Sequence, residues 1–94
     1  MTDATELAVT ADTASASTAT GVSGDATGYV LAVAAAAKFN IRFSHVAGTA
    51  PADPSNAECF EAGVHFFRLN KLNTHFKITV TENGVVLYWK ASRT

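Results

Sequence analysis

Three histidines (His45, His65 and His75), the lone cysteine Cys59 and the neighbouring carboxylates Glu58 and Glu61 are the side chains best suited to chemistry. A structural zinc needs four such ligands brought together, and the usual signs are close pairs such as CxxC, HxH or HxxxH. None occurs. Cys59 with a histidine base would make a nucleophile pair. Its surroundings, "NAECFEAG", offer neither a base nor a helix N-terminus, and a thiol buried in a strand is the reading they favour. In a strand, Glu58 and Glu61 point to opposite faces and do not act as an acid–base couple. Neither GxGxxG nor GxxxxGK[ST] is present, so no phosphate-cradling loop is expected. The sequence therefore predicts no catalytic residue, no metal site, no cofactor and no enzyme.

The elements that carry these residues read as β-strands. "KFNIRFSHV" (38–46) alternates, with Phe39, Ile41, Phe43 and His45 on one side and Asn40, Arg42 and Ser44 on the other. "YVLAV" (29–33) reads as a strand ending in a tight alanine connection over 34–37. "AGTAPADPSN" (47–56) is a loop, since Pro51 and Pro54 cannot join a central ladder. "AECFEAGVHFFRL" (57–69) reads as two short strands about Ala62–Gly63, with positive φ expected at Gly63. "HFKITVTENGVVLYWK" (75–90) reads as a hairpin closed by a type I′ turn at Asn83–Gly84. That register pairs Val80 with Leu87 and Ile78 with Trp89. Phe76, Ile78, Val80, Leu87 and Trp89 then share one face. Lys77, Thr79, Thr81, Tyr88 and Lys90 share the other, with His75.

About six strands in this length predict an all-β domain over 29–94, a small antiparallel β-sandwich or barrel. Residues 1–28 differ: they are rich in Ala, Thr, Ser and Gly, with little bulk to offset ordering entropy. They read as an extended N-terminal arm. "TELAVTAD" alternates weakly, with Leu7 and Val9 on one side, and suits strand addition to its own sheet or to a neighbour's.

Charge divides along the same line. Asp3, Glu6, Asp12 and Asp25 give residues 1–37 a charge of −4, and no Lys or Arg lies there. Lys38, Arg42, Arg68, Lys71, Lys77, Lys90 and Arg93 outweigh Asp53, Glu58, Glu61 and Glu82, so residues 38–94 carry +3. An acidic arm and a basic body suit contact between copies. The net charge of −1 argues against nucleic acid as partner. One cysteine excludes an internal disulfide, and no apolar run is long enough to span a membrane. The N-terminus lacks the positive start and apolar run of a signal peptide, so synthesis in the cytoplasm is expected.

The adjacent pairs Phe66–Phe67 and Tyr88–Trp89 put large groups on both faces of their strands. Either both faces are covered, or one carries a patch used for contact. The contact residues this suggests are Leu7, Val9, Phe67, Tyr88, Arg42, Lys77 and Lys90.

From Gly28 to Lys90 the chain resembles small β-rich structural proteins of tailed bacteriophages. The segments that carry the likeness are a Thr/Ala/Ser-rich start, "GYVLAV", "FNIRFSHVAGTAPAD", the strand–AG–strand unit "CFEAGVHFF" and the closing "HFKITVTENGVVLYWK". The closing segment is more aromatic than that pattern, and "NKL" replaces a simpler turn. The resemblance implies a virion component, made in the host cytoplasm. It would be a capsid decoration (cement) protein, or a small tail- or fibre-associated one. Its partners would be the major capsid or another virion protein and further copies of itself. On that reading, removing the arm weakens assembly and leaves the body folded. The other reading is a monomeric carbohydrate-binding module with Tyr88, Trp89 or Phe67 as a stacking platform.

Overall fold

The computed structural model describes residues 4–11, 13–22, 28–44 and 49–93. The strands are β1 (Thr5–Val9), β2 (Thr18–Ala19), β3 (Tyr29–Ala35), β4 (Phe39–Phe43), β5 (Gly63–Leu69), β6 (His75–Val80) and β7 (Gly84–Arg93). They form two antiparallel sheets, a four-stranded one ordered β1-β7-β3-β5 and a three-stranded one ordered β2-β6-β4. The expected all-β sandwich is therefore what the chain forms.

Among the described residues, β1 to β7 alternate between the sheets, and none of these seven strands pairs with the next in sequence. Phe60 adds one further rung, a lone bridge beside Phe39 on β4. Counting Phe60 as a vestigial strand, the order is that of an eight-stranded jelly roll. In that topology one sheet pairs first, last, third and sixth strands, and the other pairs second, seventh, fourth and fifth.

This corrects the hairpin expected at Asn83–Gly84. β6 and β7 lie in opposite sheets and face each other across the core. The positive-φ glycines are Gly21, Gly28 and Gly63, so Gly84 does not make the type I′ turn. Asn83 instead turns its side chain to the N-terminal segment, where its Oδ1 accepts from the Ala11 N–H at 2.6 Å. In such an arch each strand chooses its buried face independently. β6 buries Phe76, Ile78 and Val80, as expected, while β7 buries Val86 and Tyr88 and turns Leu87 and Trp89 outward. The Tyr88 ring meets Phe76 edge-on at 5.2 Å.

The two strands expected over 57–69 also resolve differently. Asn56–Glu58 is a short 3-10 turn capped by the Ser55 hydroxyl, and only Gly63–Leu69 is a full strand. Gly63 does take a positive φ, 130°.

Residues 4–11 and 13–22 run along the protein's own two sheets. β1 pairs with β7 from Thr5↔Tyr88 to Val9↔Gly84. Ser15 then locks onto β6. Its N–H donates to the Ile78 carbonyl at 2.9 Å, and its Oγ accepts from the Ile78 N–H at 3.0 Å. Thr20 is fully buried; its hydroxyl donates to the Asn73 carbonyl at 2.6 Å.

A β-bulge in β7 completes this closure. The register with β3 shifts between Val30 and Ala32, leaving Lys90 and Ala91 both opposite Leu31. The freed Ala91 N–H donates to the Thr20 carbonyl at 2.7 Å. Gly21 follows with φ of 93°, and a Cβ there would sit 3.3 Å from that of Lys90. Backbone conformation and space both call for glycine at this joint.

The outer face of the three-stranded sheet is covered by the chain's own loop. Lys77 pairs with Asp53 at 2.9 Å, Asn40 Nδ2 donates to the Ser55 carbonyl, and Pro51 and Pro54 are buried. Beneath this strap Thr79 is 4% exposed, and its hydroxyl finds no hydrogen-bond partner among the described residues. A buried, unpaired hydroxyl is costly. Thr79→Val, which keeps the shape, is therefore expected to stabilise the fold by about 1 kcal/mol, seen as a raised midpoint in urea titration with unchanged slope.

Candidate functional site

Among the described residues, nothing covers the outer face of the four-stranded sheet in this way. Strand register places its outward residues in rows. One row runs Glu6–Leu87–Ala34–Val64, and the next runs Trp89–Ala32–Phe66. Ala8 and Val85 pair beyond the first row, and Val30 and Arg68 pair beyond the second. Phe66 is 62% exposed, Val64 56% and Val85 47%, with Leu87 and Trp89 half-buried. Ala32 is buried although it points outward, because Phe66 and Trp89 flank it on the neighbouring strands. The result is a flat apolar surface with Glu6 at the β1 side and Arg68 at the β5 side.

A second aromatic group lies at the open edge between the sheets. Phe60 meets Phe39 at 5.5 Å and Phe67 at 5.4 Å, and the His65 ring lies 5.3 Å from Phe39 and 5.4 Å from Phe60. His65 Nε2 donates to the Glu61 carbonyl at 2.8 Å, which fixes the ring and its tautomer. This arrangement packs an imidazole among phenyl rings. His75 Nδ1 lies 3.0 Å from the Thr74 hydroxyl, and Cys59 is half-buried. His45 falls outside the described residues. Among the described residues no group of three His, Cys, Asp or Glu side chains is placed to hold a metal.

The contact residues suggested by sequence scatter. Val9 and Tyr88 are core, and Leu7 and Phe67 pack against it from partly buried positions. Lys77 is held by Asp53 under the strap. Only Arg42 and Lys90 stand exposed, on different sheets. Tyr88 is thus corrected from surface to core, for the same reason that the hairpin is.

Compared with known families, characterised proteins and solved structures, the chain matches none.

The residues that do form the exposed face, Val64, Phe66, Val85, Leu87 and Trp89, were signalled by a different pattern. β3, β5 and β7 are apolar at both parities, as strands covered on both faces are, whereas β4 alternates. Adjacent in one sheet, these three strands stack their spare apolar residues on a single surface. Among the described residues, the rows of that surface are apolar apart from Glu6 at the margin.

Proposed function

We propose that the protein is a non-enzymatic virion protein of a tailed bacteriophage, a capsid decoration protein that docks on the shell through the outer face of its four-stranded sheet. The apolar face that the described residues leave uncovered carries this reading. From strand spacing it spans on the order of 300 Å², the range at which exposed patches on single chains are commonly functional. The jelly-roll order adds support, being used by viral capsid and lectin domains, although a fold alone assigns no function. The N-terminal segment no longer contributes to the case, because its described part completes its own protomer.

The test is sedimentation with capsids assembled from the same genome. Wild-type protein is expected in the particle fraction. Leu87→Lys, which buries a charge in the contact, is expected to weaken attachment about tenfold or more while the variant still melts cooperatively. Wild-type protein left in the supernatant with shells in excess would overturn the proposal. A tail- or fibre-associated role predicts binding to those parts and not to shells.

One observation favours carbohydrate as a second reading. Phe66 and Trp89 flank Ala32 across two strand spacings, roughly 10 Å, on a flat sheet. Two rings so placed suit stacking on successive sugar units. Trp89 fluorescence that responds to no member of a glycan panel removes it.

A further inference from the structure

We infer that two copies of this chain pair antiparallel along β5, about a two-fold axis through Phe66, to make one continuous eight-stranded sheet. The inference deepens the contact-protein reading and names a second copy as partner for one edge.

β5 ends the four-stranded sheet, and among the described residues no other strand pairs with its far side. It runs seven residues, "GVHFFRL", with no proline or bulge and with Arg68, near one end, as its one full charge. Natural edge strands normally carry such protection, and a flat apolar edge without it is a template for strand addition. The other sheet ends are less available. β1 is shorter and carries Glu6, β2 has two residues, and Phe60 caps the side of β4.

Self-pairing is what the sequence of this edge favours. A two-fold through Phe66 sets Phe66 against its own copy and Val64 against Arg68. His65 then meets Phe67, and Gly63 meets Leu69. Arg68 is the strand's single charge, so no like charges meet, and its aliphatic stem lies over a valine. The inward pair, His65 with the second copy's Phe67, extends the aromatic group already formed by Phe39, Phe60, His65 and Phe67. Phe60, 38% exposed, lies against Phe67 and turns towards the same junction. Outward, the row Trp89–Ala32–Phe66 doubles into a row of six, which enlarges the apolar face.

Area sets the strength of this contact. Seven residues give an edge roughly 24 Å long, which buries on the order of 400–500 Å² per protomer, below the ~800 Å² of a standard stable interface. The dimer is therefore reversible and concentration-dependent.

The test uses the full chain with Cys59→Ser to remove the native thiol. Paired residues at the axis hold their Cβ atoms within about 5.5 Å, close to disulfide reach. Phe66→Cys is expected to give about tenfold more disulfide dimer under mild oxidation than Val85→Cys, which is also apolar and exposed but lies on an interior strand. Phe66→Lys, which sets two ammonium groups face to face, is expected to shift the monomer–dimer midpoint about tenfold higher by sedimentation velocity. Equal crosslinking of both cysteine variants, or a mass indifferent to Phe66→Lys, overturns the inference. The two proposals fail separately. Particles that bind wild type and lose Leu87→Lys keep the docking reading when Phe66→Cys stays monomeric. A Phe66→Cys dimer that no particle binds keeps the edge pairing alone.

Discussion

A chain that begins at Gly28 is expected to lose the native sandwich altogether, the opposite of what an independent arm would allow. Leu7, Val9 and Val22 pack on or into the core, and burial of such aliphatics contributes roughly 1.5–3 kcal/mol each when complete. Their removal also strips β7 of a paired neighbour and leaves the Ile78 N–H and carbonyl and the Ala91 N–H without their partners Ser15 and Thr20. These losses together reach several kcal/mol. A domain of 94 residues holds roughly 5–14 kcal/mol in all. The truncated chain should show an amide spectrum without dispersion and no cooperative melting transition. A truncated protein that melts within a few degrees of the full chain would show that the first strands are dispensable.

The second large effect separates the arch from the hairpin. Tyr88→Ala is expected to cost about 3–5 kcal/mol, because the ring is buried among core side chains and stacks edge-on against Phe76. Trp89→Ala, one residue away and larger, is expected to cost only about 1 kcal/mol, since its indole is half-exposed on the outer face. A hairpin closed at Asn83–Gly84 demands the reverse order. Denaturant unfolding of the two variants side by side decides between them. A loss for Trp89→Ala that exceeds the loss for Tyr88→Ala would restore the hairpin register.

These two residues also show how far the sequence could be read. Alternation at Phe39, Ile41 and Phe43 marked a half-buried strand because only one parity there is apolar, and the chain gave no second solution. Phe76, Ile78 and Val80 were assigned inward for the same reason. β7 offered Val86 and Tyr88 on one parity and Val85, Leu87 and Trp89 on the other, so its face depended on its partner. Local turn chemistry named the wrong partner. Asn–Gly favours a hairpin only where nothing else engages it, and here the Asn83 side chain is occupied by Ala11, 72 positions away. Such a long-range contact leaves no local trace. The N-terminal strands were hidden likewise. Small residues at Ser15, Thr20 and Gly21 look like linker composition, yet each is small because it lies against β6 or the β7 bulge. The exposed face was half legible: the adjacent Phe66 and Phe67 announced a two-sided strand, but which ring faced out followed from Leu69 being buried two residues on.

The alternation of strands between layers carries a kinetic corollary. Because none of the ladders among the described strands joins neighbours in sequence, and Phe60 adds only a single rung to β4, little of this chain closes on itself early. Every rung waits for distant segments to meet by diffusion, and the search entropy is spent before any rung forms. Such chains reach the native state over milliseconds to seconds rather than microseconds. During that interval β5 is an unprotected, aromatic strand in a half-assembled molecule, so crowding of nascent copies sets the rate of misassembly as well as of dimer formation.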